Sequence, residues 1–454
     1  MYRQKITEYK INSTGSIYTI YQNGLLCYKE TMKDLVETEE KARRAFLVTV
    51  RDEKMSKGEA DSLAKELAGL VTTLALEIAA QETVHVREYN ARYVMGTGKA
   101  EELAEKAASI KADCIIFGRD ISPSQQRNWE ELSDISVIDR QELIIQIFAS
   151  RARTREAELQ VTLAELNYAL PRLQHKYIDL SRQRGGHYGT RGSGESRLET
   201  DRRLVEQRIQ RLETELEEVK RQRQVQRRQR ERQGVPVCAL VGYTNAGKSS
   251  ILNALTGAGV LAEDKLFATL DPTSRRLELP LGLQVLMVDT VGFIRRLPHN
   301  LINAFRSTLE EASHADMIVN ILDASDGESA EQYKTTLAVL GELDAAHIPM
   351  ITALNKIDRL DDSTVQALLK LYPESVPVSA TEGKGLGELC ARIEQTLSGG
   401  RRHFRFPPER ADLAALVHRS GQVISEKYGE QFIEMEARVD ERTAGRLKEY
   451  QVNG

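Results

Sequence analysis

Gly242-Tyr243-Thr244-Asn245-Ala246-Gly247-Lys248-Ser249 follows the apolar run Val237-Cys238-Ala239-Leu240-Val241 and precedes Ile251-Leu252-Asn253-Ala254-Leu255, which has a helical pattern. Strand, glycine-rich loop and helix in that order make a cradle for phosphate. The loop N–H groups and the helix N-terminus face the anion, Lys248 reaches the outer phosphates, and the Ser249 hydroxyl, followed by Ser250, is offered to Mg²⁺. The stretch sets an α/β fold around a nucleoside triphosphate and leaves the base open.

Other segments narrow the choice. Asp289-Thr290-Val291-Gly292 closes an apolar strand, so Asp289 can hold Mg²⁺ through water while the Gly292 N–H approaches the γ-phosphate. Asn355-Lys356-Ile357-Asp358 closes another. A carboxylate at Asp358 accepts from both N1–H and the 2-amino group of guanine, and adenine has no such donor pair. Ser379-Ala380-Thr381, after the last strand, can meet the base oxygen through backbone N–H. The order of these segments points to GTP.

Phe267-Ala268-Thr269-Leu270-Asp271-Pro272-Thr273 lies between the phosphate loop and Asp289, the place of a mobile switch. A threonine there completes a Mg²⁺ shell only when the γ-phosphate is present. Thr269 is the first choice and Thr273 the second; a polar turn before Pro272 is the plain alternative. Lys248, Thr269 and Gly292 are the candidates for the hydrolytic step. Many GTPases place a water-orienting glutamine after the glycine, whereas Phe293 stands here. Slow intrinsic hydrolysis is expected, with help from a partner or from K⁺. Asn245 either holds that cation or simply tolerates the loop's backbone conformation.

The 454 residues give room for about three domains, and 41% apolar with 29% charged residues describes a chain able to bury a sizeable core. A net charge of −4 means that any anionic partner must be met by local clusters. Cys27, Cys114, Cys238 and Cys390 have neither zinc nor disulfide spacing. With no long apolar span and no signal-peptide core, no membrane insertion is expected, and the cytoplasm is the expected location.

An N-terminal extension over 1–40, with a hairpin near Tyr18 to Leu25, precedes an α/β domain over 41–139. That domain has strands at Ala45 to Val50 and Asp113 to Phe117, and helices at Lys99 to Ile110 and Ser122 to Leu132. Gly96-Thr97-Gly98-Lys99 reads as a helix start, its spacing being too short for a second phosphate loop. Residues 140–233 carry heptads: Leu159, Leu166 and Leu173 with Leu163 and Leu170, then Leu198, Val205, Leu212 and Val219 with Ile209 and Leu216. They predict an antiparallel helical hairpin. Its glycine-rich join spans Arg184 to Gly194, and a capping box at Ser196 and Glu199 is expected to open the second arm. Arg182, Arg184, His187, Arg191 and Arg197 make the join basic, and Lys220 to Arg232 form a second basic run. Either is an RNA contact or an ordinary solvated surface. A nucleotide domain over 234–399 and an α+β domain over 400–454 complete the chain, which is expected to be monomeric.

Taken together, these motifs resemble the HflX family of ribosome-associated GTPases, in the Obg–HflX superfamily. Outside the nucleotide domain the resemblance is carried by Ile138-Asp139-Arg140, Arg151-Ala152-Arg153-Thr154-Arg155-Glu156, Gly189-Thr190-Arg191-Gly192 and Leu198-Glu199-Thr200-Asp201-Arg202-Arg203. It runs from about Ala45 to about Ser398. It implies a GTPase that binds the large ribosomal subunit and its rRNA and splits or rescues stalled ribosomes. The rival readings are a tRNA-modification GTPase, for which no obvious active thiol is present, and an RNA-binding scaffold whose hydrolysis times release.

Overall fold

The computed structural model describes residues 6–11, 17–21, 24–27, 44–183, 191–233, 235–257, 266–296, 311–398, 401–429, 431–439 and 441–452. Two compact units divide the chain, Met1–Gln146 with Thr162–Leu216, and Ile147–Val161 with Glu217–Gly454.

In the first unit, β1 (Ile6–Ile11), β2 (Ile17–Tyr21) and β3 (Gly24–Cys27) form an antiparallel sheet, and the expected hairpin is the β2–β3 pair. Next come β4 (Arg44–Arg51), α1 (Lys57–Thr73), β5 (Glu77–His85), α2 (Thr97–Ser109), β6 (Cys114–Phe117), α3 (Pro123–Ser133) and β7 (Ser136–Ile138). Their sheet runs β5-β4-β6-β7 and is parallel throughout. A parallel strand covered on both faces must be apolar on both, and β4 buries Ala45 to Val50 without a break. The helix starts are written in the sequence. Ser56 accepts from the Glu59 N–H, and Ser122 with Gln125 forms a reciprocal capping box ahead of Pro123. Gly96 caps α2, so the Gly96-Thr97-Gly98-Lys99 segment is indeed a helix start. Trp129 fills the core between Phe117 and Tyr93, and its indole N–H donates to the Tyr93 carbonyl at 3.0 Å.

α4 (Arg140–Arg151), α5 (Arg155–Gln183) and α6 (Arg191–Gln233) make up the helical section. Leu159, Leu163, Leu166, Val205, Ile209 and Leu212 of the heptads are buried. α6 begins at Arg191, ahead of the capping box expected at Ser196. A glycine inside a helix costs only about 1 kcal/mol, and extending a formed helix is far easier than nucleating one. Residues 184–190 and the side chains of Arg182, Arg191 and Arg197 lie outside the described set. A buried ionic cluster fixes α5 against the end of β7. Asp139 accepts from the Arg172 guanidinium at 3.0 Å, the Tyr168 hydroxyl at 3.1 Å and the Glu142 N–H at 2.8 Å. Burial, followed by the neighbouring Asp139 charge, pushes the Glu142 carboxyl up to about 7.

The second unit carries β8 (Val237–Gly242), α7 (Lys248–Thr256), β9 (Thr273–Glu278), β10 (Gln284–Asp289), β11 (Met317–Asp323), α8 (Ser329–Glu342), β12 (Met350–Asn355), α9 (Asp362–Leu371), β13 (Val376–Pro377) and α10 (Leu386–Leu397). The sheet order is β13-β12-β11-β8-β10-β9, parallel except for β9. Buried Glu394 on α10 accepts from the Leu281 and Leu283 N–H groups at 2.9 and 3.1 Å, fixing the turn before β10. The chain ends with β14 (Arg401–Phe406), α11 (Ala411–Ser420), β15 (Gly421–Tyr428), β16 (Ile433–Val439), α12 (Glu441–Arg446) and β17 (Gln451–Val452), whose strands form one antiparallel sheet. β16 turns Ile433, Met435, Ala437 and Val439 inward, the alternation expected of a sheet covered on one face.

Candidate nucleotide site

β8, β10 and β12 are parallel and end at Gly242, Asp289 and Asn355, so the carboxyl end of the sheet gathers the motifs. This is where ligands sit in an open α/β sheet. The loop after β8 enters α7 through Gly247 at φ 96°, and a Cβ there would collide with the Asn355 amide nitrogen. Only glycine satisfies both demands. Asn245 also has a left-handed backbone, φ 62°, as the plain reading of that asparagine requires.

Lys248 is buried, and its ammonium donates to the Gly242 and Tyr243 carbonyls at 3.2 and 2.9 Å. Burial lowers its pKa to about 8, against the opposing pull of the Asp289 charge. A buried ammonium bonded to carbonyl dipoles is poised for an anion. Gly292 faces it closely: a Cβ on that residue would lie 2.9 Å from the Lys248 nitrogen and 2.8 Å from the Thr244 Cα. The hydroxyls of Ser249 and Thr269 are 2.8 Å apart, and both reach Asp289 Oδ2, at 2.6 and 3.0 Å. Asp289 is buried, which raises its pKa, and its other oxygen, Oδ1, has no partner among the described residues. Two hydroxyls and a carboxylate with spare acceptor capacity are hard oxygen donors of the kind Mg²⁺ takes. Thr273, the second choice for the switch, instead starts β9.

Several other predicted positions also bond or pack within the protein. The Thr290 hydroxyl donates to the Leu240 carbonyl at 2.7 Å, and Val291 and Leu270 are buried. Phe293 is buried, and its backbone pairs with Gly242 and Thr244. The Tyr243 hydroxyl accepts from the Arg295 N–H at 2.9 Å, tying loop to loop. Phe267 packs edge-on against Phe148 at 4.7 Å between ring centroids. Ala268 lines the cavity beside Thr269. The Asp271 carboxylate turns to Arg153 and Thr154.

At the base end, Asn355 joins two loops, donating to the Ala246 carbonyl at 2.8 Å and accepting from the Ala380 N–H at 3.2 Å. Lys356 donates to the Asn245 carbonyl at 2.8 Å and pairs with Asp323 at 2.7 Å. Ile357 packs into the Leu322–Leu354 cluster. Asp358 is exposed, and the Ser379 hydroxyl donates to it at 2.6 Å, which holds its carboxyl below the usual range. Thr381 contacts that hydroxyl at 3.0 Å. Asp323 and the Ser379 hydroxyl were not predicted as functional groups. Asp323, the last residue of β11, could have been found by the strand-end rule that located Asp289.

A glycine-rich loop, a cluster of hydroxyls with a carboxylate, and the Asn355–Asp358 turn, all at the strand ends, are the arrangement of a P-loop GTP hydrolase. Three family models match the chain: a GTP-binding GTPase N-terminal region over 61–149, a GTP-binding GTPase middle region over 151–230, and a 50S ribosome-binding GTPase over 237–356. The GTPase HflX of Akkermansia muciniphila is 46% identical over 420 residues, covering 89% of this chain and 96% of that one. The GTPase HflX of Escherichia coli strain K12 is 41% identical over 353 residues, covering 77% and 83%. Among solved structures, the SsGBP complex with GDP has 24% identity and a TM-score of 0.46, covering 77% of this chain and 97% of that one. The chain belongs to the HflX family of GTPases, and it hydrolyses GTP. Among the described residues no helix is long and apolar enough to cross a membrane.

Proposed function

We propose that this GTPase binds the large ribosomal subunit through rRNA and uses its nucleotide state to split or rescue stalled ribosomes. The match of residues 237–356 to a 50S ribosome-binding GTPase supports the partner. The observation that carries the switch is the meeting of Thr269, Ser249 and Asp289. Ser249 and Thr269 would hold Mg²⁺ with Asp289 behind them, and the ion would neutralise charge on the phosphates. Lys248 binds and orients the triphosphate tail, the Gly292 N–H meets its end, and Asp358 selects guanine. Phe293 leaves no side chain to orient water, so hydrolysis is slow until a partner orders the loops. The basic join of the helical hairpin, over 140–233, is the part suited to an RNA pocket.

One turnover assay tests this. Purified large subunits are expected to raise GTP turnover at least tenfold, and GTP is expected to promote separation of assembled ribosomes on gradients. If Asn245 holds K⁺, replacing K⁺ by Na⁺ slows turnover; equal rates remove the cation. Turnover indifferent to subunits overturns the ribosomal reading, and binding without separation leaves the scaffold in its place.

A further inference from the structure

Thr269 is held against Ser249 and Asp289 by a loop that is fastened on either side to residues outside the nucleotide motifs. Two residues before it, Phe267 packs on Phe148 of α4 at 4.7 Å. Two residues after it, the Asp271 carboxylate accepts from the Arg153 and Thr154 N–H groups at 3.2 and 3.3 Å and from the Thr154 hydroxyl. Each anchor is thus within about 7 Å of chain from Thr269, so moving either moves the hydroxyl by a distance that matters to coordination.

Thr154 is well built for this. It caps α5: its hydroxyl oxygen accepts from the Ala157 N–H at 3.2 Å while its proton goes to Asp271, and its carbonyl accepts from the Glu158 N–H at 3.0 Å. The Asp271 charge lies against the N-terminus of a 29-residue helix, the end that favours an anion. Two residues on, Glu156 pairs at 2.8 Å with Arg223, which also reaches Glu311 at 3.5 Å. The first turn of α5 therefore meets the Thr269 loop and, through Arg223, Glu311.

We infer that Thr154 is a positioning residue for GTP hydrolysis, acting through Asp271 to hold Thr269 at the Mg²⁺ cluster and so linking the start of α5 to the nucleotide state. The inference rests on the GTPase reading of the site. By linkage it runs both ways: a partner that displaces the start of α5 withdraws Thr269, and loss of the γ-phosphate frees the Asp271 contact.

The test compares Asp271→Asn, Thr154→Val and Thr154→Ser in the full chain by titrating a non-hydrolysable GTP analogue and GDP, each with Mg²⁺. Since Thr269 serves only the triphosphate state, Asp271→Asn and Thr154→Val are expected to weaken the GTP analogue about tenfold and leave GDP within twofold. Thr154→Ser, which keeps the hydroxyl, restores the wild-type ratio. The double variant is no worse than the more damaging single one, because both side chains act through one contact. Equal weakening of both nucleotides means that Thr154 merely supports the fold, and an unchanged ratio means no coupling; either overturns the inference. Wild-type chain that binds neither nucleotide overturns the GTPase reading instead.

Discussion

Asp358→Asn is expected to lower the affinity for GTP by about 10²- to 10³-fold and to make XTP the better ligand. The carboxylate offers only acceptors, which suit the N1–H and 2-amino donors of guanine. An amide turns one of its atoms into a donor, which faces the guanine amino group unfavourably but suits the 2-carbonyl of xanthine. The fold should be indifferent, since Asp358 is exposed and the amide oxygen can still accept from the Ser379 hydroxyl. Competition against a fluorescent guanine nucleotide reads the change. GTP affinity unaltered in the variant would remove Asp358 from base selection.

Lys248→Ala is expected to reduce GTP turnover on the order of 10³-fold, because electrostatic positioning supplies most of phosphoryl-transfer catalysis. It should not unfold the protein. Burial places the Lys248 pKa at about 8 in the nucleotide-free protein, below its ordinary 10.5. The unfolded chain therefore binds more protons between those values, and stability rises with pH across that window. Below pH 8 the wild type carries the whole cost of a buried cation that the alanine variant lacks. Thermal melts at pH 7 should find the variant at least as stable; turnover near the wild-type rate would contradict the role of Lys248.

The candidate site is legible in the sequence because its motifs are local. Gly247, Lys248, Asp289 and Asp358 each lie within a few residues of a strand end, so strand, loop and spacing in the sequence already place them. β8, β10, β11 and β12 were equally visible, since parallel strands buried on both faces read as unbroken apolar runs. β9 was not, because Thr273 to Glu278 is a charged edge strand exposed along most of its length. β5 escaped for a related reason, with Glu77, Gln81, Glu82 and His85 breaking its pattern. The start of α6 was misread because glycine content argues only weakly against a helix that neighbouring residues propagate. The turn of Asp271 toward Thr154 joins residues 117 apart in the chain, and no local pattern encodes that pairing. Phe293 shows a subtler limit: its identity foretells a missing glutamine, but not that the ring is buried.

A single titration bears most directly on all of this: GTP and ATP, each with Mg²⁺, competing for the purified chain. GTP is expected to bind at least about a hundredfold more tightly than ATP, with that preference collapsing in Asp358→Asn. Equal competition by the two nucleotides, or a preference untouched by that substitution, would contradict it.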